Sequence, residues 1–329
     1  MERRDAADAE VPDIVLSLFL TRLLTALAVL LVVTSLVFGL VHLSGDPLDA
    51  LVPPGATPEQ TARMREHYGL DRPLAVQYGT FLLNAIQGDF GESWRAQRPA
   101  MTVVLERLPH TLALAGSSIV LALLIGVPLG IVAGTRPGGV ADAVATGIAL
   151  LGQAVPGFWL GTLLILLFAV RLHWLPASGG EGAKALILPA ATLAAYPTAT
   201  ITRLLRSALI EALSADFIRT ARAKGLSPRT VVRRHALPHA VLPLLAFVGL
   251  QAGFLAGGAV VVEGVFAYPG IGLLALQAVS SRDIPVIQAG VVIVATGIIL
   301  ISMAVDLLAR WLDPRLRTAS IMGLDGGAA

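Results

Sequence analysis

At 329 residues, 55% hydrophobic and only 14% charged, with a mean hydropathy of +0.77, the chain is too apolar for a soluble globular protein, in which about 25% of residues carry charge. The formal net charge of +2 decides little; where the charges sit decides more. The absence of cysteine excludes disulfides, thiolate metal sites and a Cys nucleophile, and the six histidines fall without metal-ligand spacing.

In chain order, the first ten residues, MERRDAADAE, mix acids with bases and lack the basic start of a cleavable signal. The first apolar segment is therefore expected to stay as a span, with residues 1–17 as a tail and 18–43 as the first transmembrane helix. A spanning helix needs about 20 apolar residues. Charge-free stretches of that order are 23–41, 111–134, 143–170, 185–202, 240–262 and 284–305. The expectation is an all-α, polytopic protein with about six spanning helices. Pro189 and Pro197 predict a kink in the fourth. Residues 44–109 form a loop large enough for a small helical subdomain, and 59–70 (EQTARMREHYGL) read as a short helix ending at Gly69. Asp46, Asp89 and Glu92 read as turn and cap residues. Residues 264–281 are also uncharged, but VFAYPGIG (265–272) interrupts them, so they read as a re-entrant or external loop.

Lys and Arg near span ends set orientation. One side collects Arg3, Arg4, Arg22, Arg136, eight cations from Arg203 to Arg234, and Arg310, Arg315 and Arg317. The short loops opposite hold Arg171, Lys184 and Arg282. The basic loop 203–239 and both termini, including the tail 316–329, are thus expected to be cytoplasmic, and loop 44–109 external. The five later spans and the basic loop make up a core over 110–315.

The basic loop carries more than topology needs. Residues 208–224 show helical period, with Leu209, Ile210, Leu213, Phe217, Ile218 and Ala221 on one face. Gly225 after Lys224 reads as a helix stop, and Ser227-Pro228 as a restart. Positive-inside bias and headgroup contact alone would account for the cations; an elbow with an apolar stripe and a basic rim also suits docking.

The stretch DFIRTARAKGLSPRTVVRRHALPHAVLPLL (216–245) resembles the coupling loop of ABC importer permeases, in the form typical of the dipeptide/oligopeptide branch. Arg219-Thr220-Ala221 stand at the E-A-A places, Gly225 at the Gly place, and Leu237-Pro238 at the closing pair. Arg219 for Glu and His235 for Ile depart from the general pattern. GDPLDAL (45–51), YGLDRPLAVQY (68–78), GDFGES (88–93), ERLPHTLALA (106–115), QAVPGFWLG (153–161), VEGVFAYPGIGLL (262–274) and RDIPVIQA (282–289) resemble the same branch, in the right order across about residues 20–315.

The resemblance implies one of two membrane subunits in a binding-protein-dependent importer of the bacterial inner membrane, with di- or oligopeptides as the expected cargo. Nickel chelates, glutathione or sugars are the other cargoes of the branch. It implies a second homologous permease subunit, two cytoplasmic ATPases carrying ATP and Mg, and an extracytoplasmic solute-binding protein. The sequence has no G-x-x-x-x-G-K-[ST], so no cofactor is expected on this chain itself. The residues expected to couple to the ATPase are Asp216, Phe217, Arg219, Thr220, Ala221, Lys224, Gly225 and Leu226, with Phe217, Ala221 and Leu226 supplying buried contact. Loop 44–109 would receive the binding protein or cap the pore mouth.

No catalytic constellation emerges: Ser117 and Ser118 lack a paired His, and Glu263 and Asp306 fall at span edges. Gln153, Pro156 and Gln251 are the polar or helix-breaking candidates for a translocation pathway, with interhelical packing the competing role. A secondary transporter would predict intramembrane charges and inverted repeats, and neither is visible. Phosphate contacts to a nucleic acid would call for aromatic residues among the arginines, and Phe217 stands alone there, so no nucleic-acid partner is expected.

Overall fold

The computed structural model describes residues 2–43, 45, 48, 52, 56–179 and 182–312. The expected tail 316–329, Asp46 and most of the 45–51 stretch lie outside them. The described residues are nearly all helical: no strand occurs, only one isolated antiparallel bridge between Glu92 and Pro99. Four helices are long and apolar enough to cross a membrane, and two further bent pairs qualify if each counts as one span. The expected six fall within that range.

The chain divides into two units, Met1–Val104 with Ala278–Ala329, and Leu105–Gln277. In the first, α1 (Glu2–Leu43) packs with α13 (Ile284–Leu312). Leu24, Leu31, Leu36 and Leu40 stand exposed along α1, the inverse of a soluble helix and suited to lipid. The connecting loop builds two short helices. In α2 (Pro58–His67), Thr57 and Gln60 form a reciprocal capping box and Pro58 occupies the first turn; the helix closes just before Gly69, as the sequence predicts. In α3 (Leu74–Ile86), Tyr78 and Phe81 rest against Phe38 at ring distances of 5.2 and 5.7 Å. Asp89 takes the expected turn role, its Oδ1 accepting from Gly91 N at 2.9 Å. Asp283 was not singled out by sequence. It is buried, and its carboxylate accepts from Ser93 Oγ (2.6 Å), Trp94 N (3.2 Å) and Arg95 N (3.3 Å).

The second unit is built around α7 (Ala183–Ser214), against which α5 (Val140–Ala154), α6 (Gly157–Leu164) and α11 (Leu242–Phe266) pack. The helix α4 (Ala100–Thr135) meets α7 through three glycines one turn apart. A Cβ at Gly126 would fall 2.8 Å from Ile201 Cγ2, one at Gly130 2.9 Å from Leu205 Cβ, and one at Gly134 3.0 Å from Leu209 Cβ. Lipid supplies no hydrophobic drive for two helices to associate, so close backbone approach at small residues does the holding. Thr202 Oγ1, fully buried, reaches Gly126 O at 3.4 Å and Thr198 O at 2.8 Å.

The fourth span, in which Pro189 and Pro197 predict a kink, is continuous helix through both prolines. Both prolines are buried, where neighbouring helices compensate the freed backbone. A sharp break falls in the third segment: α5 and the α6 helix, which continues as a π-turn over Ile165–Arg171, are bent by 103° at Val155–Pro156. Val155 is extended (φ −82°, ψ 123°), as a residue before proline prefers. Further on, α11 ends at Ala267 in the left-handed conformation, and α12 (Ile271–Ser280) leaves at 78° to Ala259–Phe266. That agrees with the interrupted reading of 265–272.

Candidate functional site

The basic elbow begins where α7 stops. The sequence predicted one helix over 208–224, but Ala215 is extended (φ −71°, ψ 154°) and separates α7 from α8 (Asp216–Ala223). The apolar face that read as one stripe is therefore folded across two helices. Leu205, Leu209 and Ala212 of α7 pack with Ile218 and Ala221 of α8 and with Val231, Ala236 and Ala240 beyond the turn. Ile218 and Leu209 are fully buried. This core pins the elbow to the end of α7.

The turn itself is closed by backbone. Gly225 has φ +76°, its N–H bonds Arg222 O at 3.0 Å, and Leu226 N reaches Ala221 O at 3.4 Å. Those two bonds are the Schellman pair, which requires a left-handed residue at the Gly225 place. Ser227 then caps the next helix, its Oγ accepting from Thr230 N at 3.3 Å, with Pro228 at the first helical position. The helix α9 (Pro228–Thr230) runs through a π-turn over Val231–Ala236 into α10 (Leu237–Ala240), which holds Pro238 in its first turn.

The expected coupling residues fall together on this element. Asp216, Arg219, Thr220, Lys224 and Gly225 are exposed, as are Phe217 (41%) and Leu226 (37%). Ala221 (5%) points into the elbow's own core, so its side chain is engaged within the chain. Arg219 pairs with Asp216 at 3.2 Å in full solvent. The Phe217 ring lies 4.9 Å from the His239 ring. Arg206, counted by sequence with the basic loop, forms a fork on Asp142 instead: Nε to Oδ1 at 2.6 Å and a terminal nitrogen to Oδ2 at 2.8 Å. Gly138 N (2.9 Å) and Thr146 Oγ1 (3.2 Å) complete the carboxylate's partners. The pathway candidates separate: Gln153 and Pro156 are exposed beside the 103° bend, whereas Gln251 is buried on α11.

Sequence reasoning also placed Glu263 at a span edge. It is fully buried. Thr111 Oγ1 donates to its Oε1 at 2.8 Å and Leu273 N to its Oε2 at 3.0 Å, while Ile271 N donates to Thr111 Oγ1 at 2.8 Å. The carboxylate thus serves the first amides of α12. A glycine at 270 is required sterically, because a Cβ there would sit inside the Glu263 carboxylate. The signal available in sequence was Glu263 six residues ahead of Pro269, Gly270 and Gly272, spaced to turn back onto it.

Comparison with known proteins decides the class. Residues 126–318 match the family described as "Binding-protein-dependent transport system inner membrane component", and residues 15–115 its N-terminal counterpart, "Binding-prot-dependent transport system membrane comp, N-term". The chain belongs to this family. The permease is 41% identical over 303 residues, 92% of its length and 99% of the relative's, to the glutathione transport system permease protein GsiC of Salmonella choleraesuis (strain SC-B67). The Escherichia coli (strain K12) protein of the same name is 40% identical over the same span. The fold is similar to a chain of the inward-facing MetNI methionine ABC transporter, with a TM-score of 0.56 and 23% identity over 65% of this permease and 97% of that chain. It is an inner-membrane, multi-pass permease subunit of an ABC importer.

Proposed function

We propose that the permease passes ATPase motion into its spanning helices through residues 216–226. The observation that supports this reading is an exposed α8 face, closed by backbone bonds at Gly225, standing on a buried plug at the end of α7. Force on Asp216, Phe217, Arg219, Thr220, Lys224 or Leu226 is then delivered to α7 rather than lost in a loose loop, while Ala221 and Gly225 hold the shape. Coupling requires the docked surface to make different contacts in the two states of the importer. ATP and Mg reside on two separate cytoplasmic ATPase subunits in this reading. A second homologous permease completes the pore, and an extracytoplasmic solute-binding protein delivers cargo to loop 44–109. Both termini and the loop 203–239 face the cytoplasm, with 1–17 and 316–329 as tails. Gln153, Pro156 and Gln251 remain the pathway positions to test.

The cargo is a small peptide, and glutathione, itself a tripeptide, is the first to test, because the relatives named above carry that name over 92% of this chain. Since the chain has no cysteine, a Phe217→Cys variant offers a single thiol for crosslinking. We expect a crosslink to an ATPase subunit whose yield changes when ATP is added. No crosslink from this position, with the assembled importer still hydrolysing ATP, would sink the coupling role. For cargo, ATP hydrolysis by the reconstituted importer should rise with binding protein plus glutathione or a short peptide; a response only to a nickel chelate or sugar would replace the peptide assignment.

A further inference from the structure

Beside the α8 elbow lies a cleft of about 580 Å³ that shares Arg222 and Leu226 with the coupling segment and extends beyond it to α4 and the helix after the turn. Its walls carry Arg136, Arg222, Arg229 and Arg233, over apolar groups that include Ile131 and Leu226. No Asp or Glu lines it, and among the described residues none of these four arginines is paired with an acid. Four exposed guanidinium groups around one cleft focus a positive potential there, and the guanidinium fork matches phosphate oxygens.

We propose that this cleft binds the phosphate headgroup of an anionic phospholipid, with its apolar side against the glycerol and upper acyl chain. Position at the end of a span favours lipid over other anions. Ile131 and Thr135 stand at the end of α4, which is apolar enough to span, and Arg136 follows directly. Ile131 lies about 6 Å before that end, at 1.5 Å per residue, level with the stretch of α7 where the basic loop begins. A cleft running from apolar wall to cation over that distance follows the profile of a lipid from acyl chain to phosphate. Basic pockets at the ends of spanning helices are suited to anionic headgroups for the same reason.

The test uses the full-length chain alone in detergent, with phosphatidylglycerol and phosphatidylcholine as probes, read by native mass spectrometry. The wild type should retain phosphatidylglycerol at least tenfold over phosphatidylcholine. Arg229→Gln/Arg233→Gln should bring the two within about twofold, and Arg229→Lys/Arg233→Lys should restore most of the preference. As a control for folding, phosphatidylglycerol should raise the melting temperature of the wild type and leave that of the glutamine variant unmoved. Equal retention by wild type and glutamine variant overturns the proposal. So does the same thermal shift from inorganic phosphate without lipid, which would mark a soluble-anion site. If the glutamine variant keeps phosphatidylglycerol but loses a co-expressed ATPase subunit, the cleft seats an acidic protein segment instead. Because the lipid measurement is made without ATPase, it stands or falls apart from the coupling reading.

Discussion

Two of the second unit's sharp helix breaks share one backbone closure and differ in what is added to it. At Gly225 the turn is exposed, and local backbone satisfies it: Gly225 N to Arg222 O, Leu226 N to Ala221 O, then Ser227 over the next helix. At Ala267–Gly270 the same pair closes the turn, Ala267 N to Gly264 O and Tyr268 N to Glu263 O, but the amides that follow lie away from water and distant side chains meet them. Glu263 reaches Leu273 N, and Thr111, from α4, reaches Ile271 N. Water forgives an imperfect turn because it supplies missing partners; a buried turn has to carry its own. Both breaks therefore rest on a left-handed residue and local backbone bonds, and the buried one adds side-chain partners for the amides that follow.

That contrast predicts unequal sensitivity, greatest at the buried break. Glu263→Ala leaves the Thr111 hydroxyl and the Leu273 amide without their acceptor and opens a void, and should cost about 3 kcal/mol or more. Denaturant titration in mixed micelles measures it. Loss of less than about 1 kcal/mol would show that the network does not hold α12 in place. Next comes Gly270→Ala, whose methyl group would overlap the Glu263 carboxylate and force the acid off its amides. Overpacking of this kind costs about 1–3 kcal/mol, and it should be non-additive with Glu263→Ala because both act on one contact.

The same contrast explains what could be read without coordinates. The elbow was legible because its determinants are local: Gly225, Ser227 and Pro228 each act within a few residues, and the left-handed turn and cap appear where those residues predict them. Spans were legible for a similar reason, since lipid demands a length and a composition. The long-range partners were not. Asp142 and Arg206 are 64 positions apart, and Thr111 and Glu263 are 152 apart, so no local period reports either pair. Nor does a helical wheel reveal that Ala215 turns the chain, which is why 208–224 read as one stripe. The prolines divide in an informative way: Pro156 follows an extended residue at a break of 103°, while the helix continues through Pro189 and Pro197, which are covered by protein.

The exposed break should respond more mildly. Gly225→Ala places a Cβ in the left-handed region (φ +76°) but meets open space, with no heavy atom within 4 Å. The cost is then the backbone term alone, about 1 kcal/mol. A loss well above that would mean the turn is packed in a way its surroundings do not show. Under the coupling proposal the same variant should lower transport per ATP hydrolysed more than its small stability loss explains, because a reshaped turn moves the docking face without unfolding it.

The smallest effect belongs to the charge on that face. The Arg219–Asp216 pair spans 3.2 Å, but its two side chains are 79% and 91% exposed. An exposed pair one helical turn apart contributes about 0.5 kcal/mol or less, and salt weakens it further. Arg219→Ala should therefore leave the isolated chain's stability within error at about 150 mM salt, where the screening length is about 8 Å. Any larger consequence has to come from a partner. If Arg219→Ala weakens co-purification of an ATPase subunit several-fold while stability is unchanged, the charge is spent at the interface and the exposed break is a docking element. If neither quantity moves, Arg219 is a solvated cation, and the docking face narrows to Phe217, Thr220 and Leu226, whose contacts would be insensitive to salt.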